Sequence, residues 1–352
     1  MIRQINTHPT CMEALVKYKK GEGNVRIQQM PEPVLSSGQV LMEVDMCGIC
    51  GTDLHVYHDT FKNYPPVILG HEFAGRVIDK GDTDIPEGKR FAVLGATAIT
   101  CGTCIHCLMG NFMFCKNRRG MGHGVHGAFT RYAAVRPDQL FALPEEVSTE
   151  EGALVEPLAA AVHAVNDIAN CKLGDKAIVS GPGPIGLLIL KLLVGHGVKT
   201  WVIGTEADSF RLEMAMKYGA AGVLVAGKDP IPQLLEEFTD GQMMDLTFEV
   251  AGAEGSARNC MEALRPKGQY IQVGHFGKDI LLPWDLVAFR EIQVKGSVGY
   301  TYATWHRTLE ILRQQKVKVS DLITHRLPLP SWEKGFSLME EKKALKILLT
   351  PS

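Results

Sequence analysis

Four cysteines fall within fifteen residues, at Cys101, Cys104, Cys107 and Cys115. The spacing C-x2-C-x2-C-x7-C lets four thiolates surround one tetrahedral zinc and leaves no coordination position open, which marks a structural site. Such a site contributes folding energy to a loop with little core of its own. His106, between the ligands, is read as solvent-facing. A second set of donors lies upstream, with Cys50 in Gly48-Ile49-Cys50-Gly51-Thr52-Asp53-Leu54-His55 and the pair His71-Glu72 after Gly70. A cysteine, a histidine and a carboxylate are the ligand types of a catalytic zinc, which keeps its fourth position for water or substrate. The third constellation is Gly181-Pro182-Gly183-Pro184-Ile185-Gly186, directly after the apolar run Lys176-Ala177-Ile178-Val179-Ser180. It fits G-x-G-x-x-G: Gly181 permits a sharp turn, Gly183 admits a pyrophosphate against bare backbone, and Gly186 lets helix and strand pack closely. Because Pro182 and Pro184 lack N–H groups, the amides of Gly183, Ile185 and Gly186 must do most of the phosphate binding at the helix start.

The elements that position these groups follow from periodicity. Residues 12–16 and 25–27 read as paired strands, 39–44 alternates as a half-buried strand, and strand-dense sequence with Gly and Pro breaks continues to about 144. From 150 to 170 the pattern is helical, with Leu154, Leu158, Ala161, Val162 and Val165 on one face. Strands and helices then alternate: strand 200–204, helix 210–218, strand 222–225, helix 231–238, strand 244–250, helix 256–264 and strand 269–273. That alternation is what a doubly wound parallel sheet requires. The tail reads as helix 305–314, strand 322–326, helix 332–340 and strand 345–349. Glu206, just past the strand 200–204, stands where the fingerprint expects an acid for the adenosine ribose hydroxyls. A carboxylate there repels a 2′-phosphate and points to NAD rather than NADP, with Arg211 as the nearby residue that could favour the phosphate.

The motifs around Cys50 and His71 together resemble the zinc-containing medium-chain alcohol and polyol dehydrogenases, and the resemblance covers nearly the whole chain. It implies an α/β protein with a β-rich GroES-like catalytic domain at 1–165, carrying a structural-zinc lobe at about 97–120. A Rossmann domain at 166–295 and a return at 296–352, which completes the first domain, follow from the same resemblance. Two zinc ions per chain are implied. Cys50, which immediately precedes Gly-Thr-Asp, and His71 match the family's catalytic zinc ligands, and Glu72 matches the carboxylate beside them. Glu156, in Glu156-Pro157-Leu158-Ala159, matches the position where sorbitol-type enzymes place a glutamate ligand. Thr52 and His55 match the relay that takes the alcohol proton to solvent. Val273-Gly274 and Val250-Ala251-Gly252 end strands where the nicotinamide should lie. The loop from Gly120 to Phe129 matches a glycine-rich family loop without ligands, so His123 and His126 are not expected to bind metal. Gly299 and Val56 depart from the sorbitol pattern, which has an arginine and a pocket tyrosine there; with Thr304-Trp305 they look more like threonine dehydrogenases.

Bulk properties narrow the class further. At 352 residues there is room for about two domains, and a net charge of -2 carries no footprint for nucleic acid or an anionic membrane. The polar start, Met1 to His8, lacks a signal peptide's apolar core, and the apolar stretch 185–194 is too short to span a bilayer. Nine cysteines, an odd number with four clustered, suit metal binding in a reducing, cytoplasmic compartment. The expected activity is reversible oxidation of a secondary alcohol, a polyol or its phosphate, by a homodimer or homotetramer acting on small molecules. Its alternatives are a threonine 3-dehydrogenase or butanediol dehydrogenase, a zinc-free reductase of the same superfamily, and a non-catalytic zinc and nucleotide scaffold.

Overall fold

The computed structural model describes residues 11–351; the polar tail 1–10 and Ser352 lie outside the described residues. The chain divides into two compact units, one comprising residues up to Glu156 together with 320–352, the other Pro157–Val319. The return is therefore shorter than the sequence suggests. Residues 296–319 belong to the second unit, where the helix Tyr302–Arg313 is tied by its Thr304 and Arg307 side chains to Asp167.

The first unit is built on β1 (Cys11–Lys17), β2 (Val25–Pro31), β3 (Val40–Gly48), β4 (Val67–Ile68), β5 (Glu72–Asp79), β6 (Arg90–Val93), β7 (Tyr132–Val135) and β8 (Leu140–Ala142). The second contributes β9 (Lys176–Ser180), β10 (Lys199–Gly204), β11 (Gly222–Val225), β12 (Met244–Glu249), β13 (Leu264–Gln272) and β14 (Gln293–Gly296). The return adds β15 (Ile323–Pro328) and β16 (Lys346–Thr350) to the first unit. There β1 pairs antiparallel with β2 and with β4, while a larger sheet runs β15-β16-β3-β5-β6-β8 with β7 on β3. Alternation in β3 explains the packing. Val40, Met42 and Val44 are buried on one face, against Phe73 and Val77 of β5, with Trp332 and Phe336 from the return in the same core.

In the second unit six parallel strands take the order β11-β10-β9-β12-β13-β14, which is 3-2-1-4-5-6 in chain order. The strands β9, β10 and β12 are buried almost throughout, as a sheet covered on both faces requires. The order reverses between β9 and β12, and the glycine turn sits at the carboxyl end of β9, the crevice where such sheets bind ligands.

One element departs from its sequence pattern. The helix expected over 150–170 is instead Thr149–Ala153, then Val155–Val162, then a wide π turn over His163–Ile168. Within that turn His163 Nδ1 lies 2.9 Å from Asp167 Oδ2, which Thr304 Oγ1 also approaches at 2.5 Å. The apolar period could not announce this widening of the helix.

Candidate active site

Cys50 is the N-cap of the helix Gly51–Tyr57, and Asp53 Oδ2 reaches back to accept from Cys50 N at 2.9 Å. This cap fixes where the thiol points. His71 follows Gly70, whose φ of +88° only glycine adopts readily; a Cβ there would also stand 2.8 Å from Cys47 Sγ and from the Phe129 ring. Glu72 starts β5, paired across the sheet with Gly48.

The ligand atoms of Cys50, His71 and Glu72 all lie within 4.8 Å of one another. His71 Nδ1 is buried without a hydrogen-bond partner, and the nearest carboxylate oxygen, Asp53 Oδ1, is 3.6 Å away. Burial acts to lower the His71 imidazole, but the charges of Asp53 and Cys50 outweigh it and raise it well above the ordinary value. A soft thiolate, an imidazole oriented by a carboxylate behind it and a further acid form a donor set that suits zinc. These residues fit the ion.

Glu156 does not join that set. It is half-buried in the first turn of the helix Val155–Val162, and its charge is felt by Lys346. Thr52 is half-buried in the same helix as Cys50, and His55 is exposed one turn on, its Nδ1 3.2 Å from Thr60 Oγ1. Thr52 and His55 therefore share a helix face and lead outward from the thiol.

Two residues near the cluster were not singled out from sequence. Asp53 is buried and bonds the Cys50 amide and, at 3.3 Å, the Gly70 amide, so one carboxylate ties both ligand-bearing segments. Lys346 is 2 % exposed and donates to Glu72 Oε1 at 2.6 Å and to Ile49 O at 3.3 Å. Burial would lower this ammonium, but Glu72 first, then Cys50, hold it above its ordinary value. The signal was a single charge inside the apolar strand Lys346-Ile347-Leu348-Leu349, which must find a partner when buried.

In the lobe, Cys101 Sγ stands 3.9 Å from Cys107 Sγ and 3.6 Å from Cys115 Sγ, and Cys104 Sγ stands 3.5 Å from Cys107 Sγ. Four sulfurs each about 2.3 Å from one zinc stand about 3.8 Å apart in a tetrahedron. All four sulfurs lie within 4.8 Å of one another, so the set fits the ion. The Thr103 and Cys104 amides directed at Cys101 pull its thiol down to about 6, toward the thiolate that a metal needs. Neither His123 nor His126 joins either cluster. His123 packs edge-on against Phe61 at 5.1 Å, and burial, then the charge of His71, push it down to about 4. His126 Nδ1 accepts from Ile68 N.

The glycine turn has the shape that a pyrophosphate requires. Gly181 has φ +111°, and a Cβ on Gly186 would stand 2.0 Å from Gly181 O, so neither tolerates a side chain. Around Gly183, by contrast, nothing lies within 4 Å of an added Cβ, and Pro184 and Ile185 open a twelve-residue helix behind it. Glu206 is exposed and paired with Lys228, another residue absent from the sequence expectations. Arg211 turns inward: it is 8 % exposed, with Nη1 3.7 Å from Asp208 Oδ1. Val273 and Gly274 follow β13, both amides donating to Glu249 O at 2.9 Å.

Comparison with known proteins agrees with this geometry. Residues 36–145 match the alcohol dehydrogenase GroES-like domain, and residues 184–314 match the zinc-binding dehydrogenase domain. A sorbitol dehydrogenase from Halalkalibacterium halodurans is 35% identical over 97% of this chain and 99% of its own. A D-arabitol-phosphate dehydrogenase from Enterococcus avium is 30% identical over 96% of this chain and 97% of its own. A crystal structure described as a zinc-binding dehydrogenase from Sinorhizobium meliloti 1021, bound to NADP, superposes with a TM-score of 0.90 at 26% identity, covering 97% of this chain and 100% of that one. With two metal-fitting clusters, a dinucleotide turn and these likenesses, the chain belongs to the zinc-containing medium-chain alcohol and polyol dehydrogenases.

Proposed function

We propose that the protein reversibly oxidises a secondary alcohol of a polyol or polyol phosphate to a ketone, with NAD as hydride acceptor. The convergence of Cys50, His71 and Glu72 within 4.8 Å carries this reading. When bound, zinc supplies the Lewis acidity that eases ionisation of an alcohol O–H, and the nicotinamide supplies the hydride acceptor. Cys50 and His71 hold the ion, and Glu72 or Glu156 completes the set. Lys346 bears on that choice, since its bond to Glu72 competes with any direct contact between Glu72 and metal. Asp53 orients His71. Thr52 takes the alcohol proton as its own hydroxyl proton passes onward in a relay that ends at His55 and solvent, a task suited to imidazole near neutral pH. The closed set Cys101, Cys104, Cys107 and Cys115 holds a second, structural zinc.

Gly183, Ile185 and Gly186 present amides to the pyrophosphate, and Glu206 accepts from the ribose hydroxyls and disfavours a 2′-phosphate. Arg211 is occupied by Asp208, which supports NAD, whereas Lys228 beside Glu206 is the cation an NADP-type ligand would meet. A cytoplasmic setting accords with nine cysteines of which four gather as one metal-fitting set. None of the helices among the described residues is long and apolar enough to cross a membrane. A homo-oligomer is supported by β14, a sheet-edge strand, and by the exposed Trp284 and Phe289 that precede it in the chain.

The test is reduction of NAD and NADP by the zinc-loaded protein across polyols, polyol phosphates, vicinal diols and threonine. Turnover confined to polyols or their phosphates supports the proposal. Preference for threonine or butanediol selects the second reading, favoured by Gly299, which at φ +58° offers no side chain where the sorbitol pattern has an arginine.

A further inference from the structure

Glu249 ends β12, is fully buried, and takes no part in the chemistry above. Its Oε1 accepts from Ala251 N at 3.1 Å and from Gly252 N at 2.9 Å, and its Oε2 accepts from Gln272 Nε2 at 2.7 Å. Ser256 Oγ lies 2.7 Å from Glu249 Oε1 and also 2.7 Å from Ser180 Oγ at the end of β9. Through its own carbonyl the same residue accepts from the Val273 and Gly274 amides. One side chain and its backbone therefore gather the ends of three neighbouring strands.

These segments lie backbone against backbone. A Cβ on Gly181 would stand 2.6 Å from Ala251 N, and one on Gly274 would stand 2.5 Å from Gly252 N. The network also has a fixed polarity. Tyr270 Oη donates to Gln272 Oε1, so the Gln272 amide nitrogen is left to face Glu249, and the Ala251 and Gly252 amides are donors as well. Only an acceptor with two oxygens satisfies that arrangement. A buried carboxylate is seldom the most stable way to fill such a space. Its use here is to specify shape at the carboxyl edge of the sheet.

We propose that Glu249 is a positioning residue of the dinucleotide site, whose carboxylate sets the form of loops 250–252 and 273–275 that receive the nicotinamide half of the cofactor. The proposal rests on reading the second unit as the dinucleotide binder. It is tested with the full zinc-loaded chain and the variants E249Q and S256A. NADH is titrated by nicotinamide fluorescence, ADP-ribose, which lacks the nicotinamide, is titrated by calorimetry, and thermal midpoints are recorded. In E249Q an amide nitrogen must face another donor, so NADH binding weakens about tenfold while ADP-ribose changes less than about twofold; S256A weakens NADH a few-fold in the same sense. Equal weakening of both ligands, the signature of general loosening, overturns the proposal, as does unchanged NADH affinity in either variant. If E249Q does not fold, S256A decides by the same criteria. A wild-type chain that binds no NADH overturns the dinucleotide reading itself, whereas wild-type binding left intact in the variants overturns only the role of Glu249.

Discussion

The two metal-fitting clusters of the first unit are assembled in opposite ways. The four-cysteine lobe draws every donor from residues 101–115, and its sulfurs stand at tetrahedral spacing around no core of their own; Ile105, Leu108, Met109 and Phe114 of the same segment are exposed. The cluster at Cys50 and His71 joins a helix N-cap, the start of β5 and, through Lys346, the last strand of the chain. Its neighbours are charges: Asp53 behind the imidazole, an ammonium on the carboxylate. A closed local site lends stability, whereas an ion that must exchange ligands needs an open position and a charged surround that can be tuned.

The sharpest way to break that contrast is to remove one thiol from each cluster. Cys50→Ala should abolish alcohol-dependent NAD reduction while NAD binding persists and the thermal midpoint moves little, because the surrounding core is unaffected. Cys104→Ala should do the reverse, lowering the midpoint by on the order of 10 °C through loss of a structural ion while leaving folded molecules active. Metal content, melting curves and turnover of both variants check this. Retained turnover in Cys50→Ala would show that the ion at that cluster is not the catalyst.

The buried pair comes next in size. In the metal-free protein Lys346→Met leaves the buried Glu72 carboxylate without its ammonium and should destabilise the protein by about 3–5 kcal/mol, as breaking a buried ion pair commonly does. The double variant Lys346→Met with Glu72→Gln should recover much of that loss, since no lone charge remains. Denaturant unfolding of the two singles and the double gives the coupling directly. If the single and double variants are equally unstable, packing of the lysine stem and not charge explains its place.

The same contrast governs what could be read before any coordinates. The lobe was legible because its four cysteines are neighbours in sequence, and the glycine turn was legible because the φ of Gly181 and the close approach of Gly186 to Gly181 O are set within six residues. The parallel strands β9 to β13 followed from alternation of strand and helix, whereas β14 and the order of the strands did not. Lys346, more than 270 positions from Glu72, leaves only a polar interruption in an apolar strand. Asp53 was hidden differently, because an acid at the third position of a helix is ordinary capping chemistry, and its second oxygen turns toward His71 only in three dimensions. Arg211 pairing with Asp208 instead of facing a ligand likewise depends on burial that a nine-residue helix pattern does not reveal.

Asp53 itself supplies a smaller test. Asp53→Asn keeps an acceptor for the Cys50 amide but removes the charge that orients and supports His71. Zinc affinity and kcat/KM should each fall about 10- to 100-fold, the usual effect of losing the carboxylate behind a metal-bound histidine. Affinity is measured by competition with a chromogenic chelator. An unchanged affinity would leave Asp53 a capping residue only.

The smallest effect concerns how the helix that carries Cys50 is held at its other end. His58 is its C-cap, with Nδ1 2.9 Å from Glu22 Oε1 and Nε2 2.5 Å from Glu340 Oε1 at the end of the helix Trp332–Glu340. The bonds to Glu340 and then Glu22 raise the His58 imidazole above its ordinary value, and a cation there also complements the helix C-terminus. Because the folded value is the higher one, the stabilisation is complete below the unfolded value of about 6.5 and fades as pH rises through the folded value. The side chain is 37% exposed, so solvent screens the pair and its contribution is about 1 kcal/mol or less. Glu340→Gln should therefore lower stability measurably at about pH 5.5 and hardly at all at about pH 9. The four-cysteine lobe, whose ligands lie within one segment, needs no such remote anchor. If Glu340→Gln costs the same stability at both pH values, the His58 contacts hold this end of the helix through shape and not charge.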